Sequence, residues 1–351
     1  MAAYTTIDDP SAYFKVQLFT GTGSSNAVTF NDTDTDMQPD LVWIKSRDDT
    51  NEHYISDSVR GTGKEIYSSL SNAEVSDANG VTAFGSDGFT VGTGTGLNGS
   101  SDSNVAWCWK GGGSASSNSN GSITSSVSAN TTSGFSVVKF DGSRPSASTV
   151  GHGLGATPSV IWFKALNAAQ GWRCWFGNAG FNNQTFISLH SNAAQDTSQA
   201  NIMNNTAPTS SVFTVGDDAD SQNTNMIAYC FTDILGFSKS GKYTGNGNAD
   251  GPFIYTGFRP AWIMIKNSSR SSENWNIIDN KRDGYNGSNE NLAPNLNGAE
   301  SSGNNRWDIL SNGFKCRDTN NEVNNSGDTY IYMAIAEASF VNSNGVPCNA
   351  R

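Results

Sequence analysis

The sequence predicts an all-β chain built from three tandem β-sandwich modules, with the strand order, jelly-roll-like or otherwise, left open. Three observations carry this. Short apolar runs rich in β-branched and aromatic residues alternate with clusters of Gly, Asn, Asp and Ser, the composition of strands and turns. No window of about 11 or more residues keeps an apolar helical period free of Gly or Asn, so helices are nearly absent. And one motif occurs three times in fixed company.

The motif is an apolar strand opened by Pro and closed by Lys: PDLVWIK from Pro39 to Lys45, PSVIWFK from Pro158 to Lys164, and PAWIMIK from Pro260 to Lys266. Proline is tolerated at a strand start, where its missing N–H costs no ladder bond. The apolar run behind it reads as a central strand buried against an opposing sheet. An aromatic strand and a turn precede each motif: 14–19 before Thr20-Gly21, 135–140 before Asp141-Gly142, and 237–243 before Thr244-Gly245. A second strand follows, centred on Phe89, Phe213 or Phe314, and each copy closes on an apolar strand, 105–109, 226–231 or 330–334. The prolines lie 119 and then 102 residues apart, the period of a small β domain.

The elements then fall in order. Residues 1–11 are an N-terminal lead and 12–110 the first module. Gly111-Gly112-Gly113 opens a Ser/Asn/Gly-rich stretch to 133 that reads as a flexible connector or long loop. Modules two (134–235) and three (236–340) follow with almost no spacer, so these two should pack rigidly while the first is looser. Residues 341–351 form a C-terminal tail.

Composition bounds the function. The 351 residues suffice for two or three domains. With 36% hydrophobic residues, nine Trp, ten Tyr and 18 Phe, the chain is not of a disordered class. A net charge of −11 argues against a nucleic-acid partner. No apolar run approaches the roughly 18 residues of a membrane span. The start, Met1 to Tyr4, lacks the basic and apolar regions of a signal peptide, so an extracellular role implies release by a route such as lysis. The five cysteines (Cys108, Cys174, Cys230, Cys316, Cys348) are odd in number and lack zinc spacing, and disulfides are not expected.

Candidate sites are few. The run from Asn31 to Asp36 alternates carboxylates as a calcium loop does, with Asp34 and Asp36 as the candidate ligands. It lacks the Gly and Glu of an EF-hand, and an acidic solvated turn is the favoured explanation over calcium, as it is for Asp217, Asp218 and Asp220. Lys45, Lys164 and Lys266 are expected to cap buried strands and pair with neighbouring carboxylates rather than to contact a ligand. Among the tryptophans, Trp43, Trp107, Trp162 and Trp262 belong to repeat anchors and read as core. Trp172, Trp275 and Trp307 stand in polar surroundings and are the candidates for glycan contact, with burial weighed at least as heavily for each. No nucleophile, zinc-protease or phosphate-loop pattern occurs, no catalytic residue is nominated, and no cofactor beyond calcium is implied.

The opening Tyr4 to Phe14 (YTTIDDPSAYF), Thr20-Gly21, Pro39 to Lys45, Asp57-Ser58-Val59-Arg60-Gly61 and Ser86 to Phe89 together resemble a family of repeat modules in structural proteins of marine bacteriophages. The likeness is closest in the first module. The second departs, with Trp172-Arg173-Cys174-Trp175 where the first carries its Asp57 segment. The resemblance implies a non-enzymatic virion component, assembled in the host cytoplasm and displayed on the extracellular particle. One reading is a tail-fibre or tail-associated protein touching a host glycan or outer-membrane component. The other is a capsid decoration or head spike that binds other virion proteins. A polysaccharide-degrading enzyme is a third, weaker reading. A homo-oligomer, such as the trimer common in phage fibres, is expected, although three modules in one chain also suit a pseudo-threefold unit.

Overall fold

The computed structural model describes residues 5–30, 35–282, 286–287 and 289–347. Module one contributes β1 (Phe14–Thr20), β2 (Asn26–Thr29), β3 (Leu41–Ser46), β4 (Tyr54–Asp57), β5 (Lys64–Tyr67), β6 (Val75–Ser76), β7 (Val81–Gly85), β8 (Gly88–Val91) and β9 (Ser103–Trp109). They form two antiparallel sheets, β1-β9-β3-β4-β5-β6 and β2-β8-β7. Module two holds β10 (Ser116–Asn118), β11 (Ser125–Asn130), β12 (Phe135–Phe140), β13 (Ser148–Gly151), β14 (Val160–Ala165), β15 (Arg173–Phe176), β16 (Val212–Val215) and β17 (Met226–Phe231). Its sheets are β10-β11-β12-β17-β14-β15 and β13-β16.

Module three holds β18 (Ser238–Thr244), β19 (Phe253–Tyr255), β20 (Phe258–Asn267), β21 (Asn276–Asp279), β22 (Asn289–Asn291), β23 (Ser301–Asn304), β24 (Trp307–Leu310), β25 (Gly313–Cys316) and β26 (Thr329–Ser339). They pair as β18-β26-β20-β21, β19-β25-β24 and β22-β23. One order therefore recurs three times. The large sheet is β1-β9-β3-β4, β12-β17-β14-β15 or β18-β26-β20-β21, and the small sheet is built on β2-β8, β13-β16 or β19-β25. Register agrees as well: Trp43 faces Trp107, Trp162 faces Tyr229, and Met264 faces Met333.

The motif strands are buried along their whole length because both faces of the large sheet are covered. In module one, Val42, Ile44, Ala106 and Cys108 face the small sheet and pack with Val28, Phe89 and Val91. The alternate residues Leu41, Trp43, Trp107 and Trp109 face the other way, into a core shared with modules two and three. Trp43 meets Trp162 edge-on at 6.0 Å, and Trp109 meets Trp262 at 5.5 Å. The first module is thus as firmly seated as the others, contrary to the looser placement its Gly-rich neighbour suggested.

The three interfaces repeat. Glu74 N–H donates to Leu166 O, Gln195 N–H to Ser268 O, and Glu300 N–H to Arg47 O, each at 2.8 Å. The acceptors lie two residues beyond the motif lysines, so module one docks on two, two on three, and three on one. A second set lines two of the same seams. Trp172 Nε1 donates to Tyr67 O at 2.8 Å and Trp275 Nε1 to Ser188 O at 3.0 Å, while His53 stands in the matching position of module one. The modules therefore form a closed pseudo-threefold ring.

Two boundaries shift. The stretch 111–133, expected as a linker, supplies β10 and β11 to the large sheet of module two, where Val127 is buried against Val138. Ser and Thr are compatible with a half-exposed strand, which low complexity concealed. The described part of the lead is also anchored: Ile7 is buried, Ser339 Oγ donates to its carbonyl at 3.2 Å, and Ser343 N–H donates to Asp8 at 2.8 Å. Cys108, Cys174, Cys230 and Cys316 are free and buried; Cys348 lies outside the described residues.

Candidate functional site

The calcium candidate divides. Asp34 lies outside the described residues, and Asp36 is exposed. Among the described residues no three His, Cys, Asp or Glu side chains are grouped to hold a metal. Asp220, in the second acidic cluster, accepts from Arg173 Nε at 2.6 Å.

The three tryptophans proposed to meet glycan are buried instead. Trp172 and Trp275 stand just before β15 and β21 and fill the seam to the preceding module, which is why each indole N–H finds a carbonyl there. Trp307 opens β24 on its inward face, opposite Cys316. Polar neighbours in sequence belong to the outward faces and turns and do not report where the indole points.

The motif lysines are a repeated buried feature. Each Nζ donates to the carbonyl of the next residue: Lys45 to Ser46 at 2.5 Å, Lys164 to Ala165 at 2.7 Å, and Lys266 to Asn267 at 2.6 Å. Lys45 also reaches Asp49 O at 2.9 Å, and Lys164 reaches Ser71 O across the interface at 3.3 Å. The expected carboxylate partner is thus replaced by backbone carbonyls. Burial pushes all three down to about 8, with distant carboxylates pulling back.

Other charged groups of the shared core are also committed. Asp57 and Arg60 form an ion pair with both side chains fully buried, and Tyr229 of module two donates to Asp57 at 2.7 Å. Asp279 and Arg282 repeat the arrangement at 2.6 Å, with Trp107 Nε1 of module one donating at 3.0 Å. In both, the arginine also holds a carbonyl five residues back, Ile55 or Ile277. Ladder register puts Phe176 at this place in module two, so its divergence replaces a buried ion pair by an apolar contact. His53, wholly buried, accepts from Trp43 Nε1 at 3.0 Å; burial first, then the Lys45 and Arg282 charges, hold it well below its usual value. Glu65, on β5, is buried with Oε1 unpartnered, and burial together with Asp77 pushes it up to about 7.

The surface differs among modules at the edge strand of the small sheet. Val28, Val150 and Ile254 occupy one register position and point inward, opposite Phe89, Phe213 and Phe314. Their neighbours point outward: Ala27 and Thr29 in module one, Thr149 and Gly151 in module two, Phe253 and Tyr255 in module three. In module two this edge is covered by the preceding chain, with Ile123 bridging Val150 and its N–H donating to Thr149 O at 2.9 Å. In module three Phe253 is 44% and Tyr255 53% exposed.

Residues 9–339 match a family described as a domain of unknown function, DUF7483. The chain belongs to that family. The match runs through all three repeats, so the DUF7483 unit corresponds to the closed ring rather than to one sandwich. No curated protein and no solved structure matches the chain.

Within this domain, sequence reasoning missed Phe253 and Tyr255. Superposing the repeats at their phenylalanine anchors would have found them, since the matching outward positions elsewhere carry only small residues.

Proposed function

We propose that the protein is a non-enzymatic component of a bacteriophage particle, a tail-fibre or tail-associated surface protein that contributes to host attachment. The observation that carries this is the closed ring: three equivalent sandwiches are locked by repeated seams, leaving turns and small-sheet edges as the variable surface. That is the arrangement of a rigid scaffold presenting loops. The resemblance of the opening segment and the first Pro-to-Lys motif to marine phage structural proteins supports the same reading. The buried carboxylates beside arginine are engaged in holding modules together, which suits a scaffold role.

The ring favours a second reading too. A pseudo-threefold unit suits a symmetric site on a capsid, as a decoration or head spike bound to other virion proteins. Cryo-electron microscopy of intact particles, with an antibody to this chain as a marker, separates the two. Density on the tail with free distal surfaces supports attachment, and density seated between shell subunits supports decoration. Absence of the chain from purified particles overturns both.

A further inference from the structure

We infer that the outward face of the small sheet in module three is a carbohydrate-binding platform, with Phe253 and Tyr255 as stacking surfaces for pyranose rings. Alternate residues of one strand point to the same face about 7 Å apart, a spacing that serves adjoining sugar units. The Phe253 ring lies over Gly313, where a Cβ would sit only 3.1 Å from it. The ring thus leans against the Gly313 backbone and stays 44% exposed.

The rim is polar. Lys315, opposite Phe253 in the ladder, pairs with exposed Asp250, and the neighbouring Asp308 on β24 pairs with Arg317 at 3.3 Å. Exposed aromatic rings, that of Tyr255 with Lys239 Nζ over it at 5.3 Å, beside carboxylates and ammonium groups match the apolar C–H faces and hydroxyl edges of a sugar. Strand addition by a peptide fits less well, because Lys239 Nζ donates to Tyr255 O at 2.8 Å and guards the edge. A stable protein interface also needs about 800 Å² per partner, and these are two exposed rings within a charged surround. Modules one and two, with small or covered residues at the matching positions, lack such a platform.

The inference gives the attachment reading a ligand class, but its test needs no particle. The purified full-length protein is applied to an array of bacterial surface polysaccharides and defined hexopyranose oligosaccharides, and hits are titrated by calorimetry. Binding is expected, with a tenfold or greater loss in the Phe253→Ala/Tyr255→Ala variant, a smaller loss in Lys315→Ala, none in Thr29→Ala, and Tm unchanged throughout. A silent array, or equal binding by the double variant, overturns the inference. So does a silent array combined with reversible self-association in sedimentation velocity that the double variant abolishes, which makes the patch a protein contact.

Discussion

At the scale of single residues, this domain buries charge to an extent its low content of charged residues does not suggest. Asp279 receives Arg282, the Arg282 and Lys281 backbone N–H groups and the Trp107 indole; burial pushes its carboxyl up, but the Arg282 charge and these hydrogen bonds together hold it below the usual range. Removing its charge leaves the buried guanidinium with Glu300 as its remaining carboxylate, at 2.9 Å, so Asp279→Asn is expected to destabilise the fold by about 2–4 kcal/mol, read by urea unfolding. Glu65 presents the opposite case. Its folded value, about 7, exceeds its unfolded one, so the folded state holds the proton more tightly between about 4.5 and 7. Its contribution is complete below the unfolded value and is lost as pH rises through 7. Glu65→Gln, which keeps the shape without the charge, should therefore gain urea resistance relative to the parent at pH 8, with the gap closing by pH 5. An unchanged difference across that range would mean that Glu65 is not desolvated in the folded chain.

At the scale of elements, the motif strands, their aromatic partners and their closing strands were legible because apolar runs between Gly and Asn clusters dictate strands whatever their tertiary neighbours. What could not be read was which face each strand turns to a second module. A strand covered on both faces has no alternation, so Trp43 and Val42 look alike in sequence while one enters the shared core and the other the sandwich core. The same blindness misplaced Trp172 and Trp275, whose seam exists only once the ring closes. It also concealed β10 and β11, since Ser and Asn on a solvated strand resemble a linker. Replacing residues 116–123 by a Gly/Ser segment of equal length tests this. The change removes β10 and the Ile123–Val150 bridge and leaves β13 as a bare edge. Lower Tm and concentration-dependent association by size-exclusion chromatography are expected; a true linker would tolerate the exchange without either effect.

At the scale of the whole molecule, the repeat suggests three domains while the packing makes one cooperative unit. Each large sheet turns Trp, Tyr or Met away from its own sandwich toward the other modules, and Trp107, Tyr229 and Met333 are all buried there. A single module would expose that face to water, with Trp43, Trp107 and Trp109 open in module one. Its buried Asp57 would also lose the Tyr229 hydroxyl. The ring should accordingly unfold in one calorimetric transition whose van't Hoff and calorimetric enthalpies agree. Residues 12–110 expressed alone should be insoluble or lack native near-ultraviolet dichroism. Trp162→Ala, placed at the contact between modules one and two, should lower the single Tm and not split it, because no module has a separate equilibrium to fall back on. Its cost should approach the roughly 3–5 kcal/mol of a large core truncation. Two resolved transitions in the parent would instead mean that the seams are weaker than the sandwiches, and the three modules would then be domains in the energetic sense as well as in their strand order.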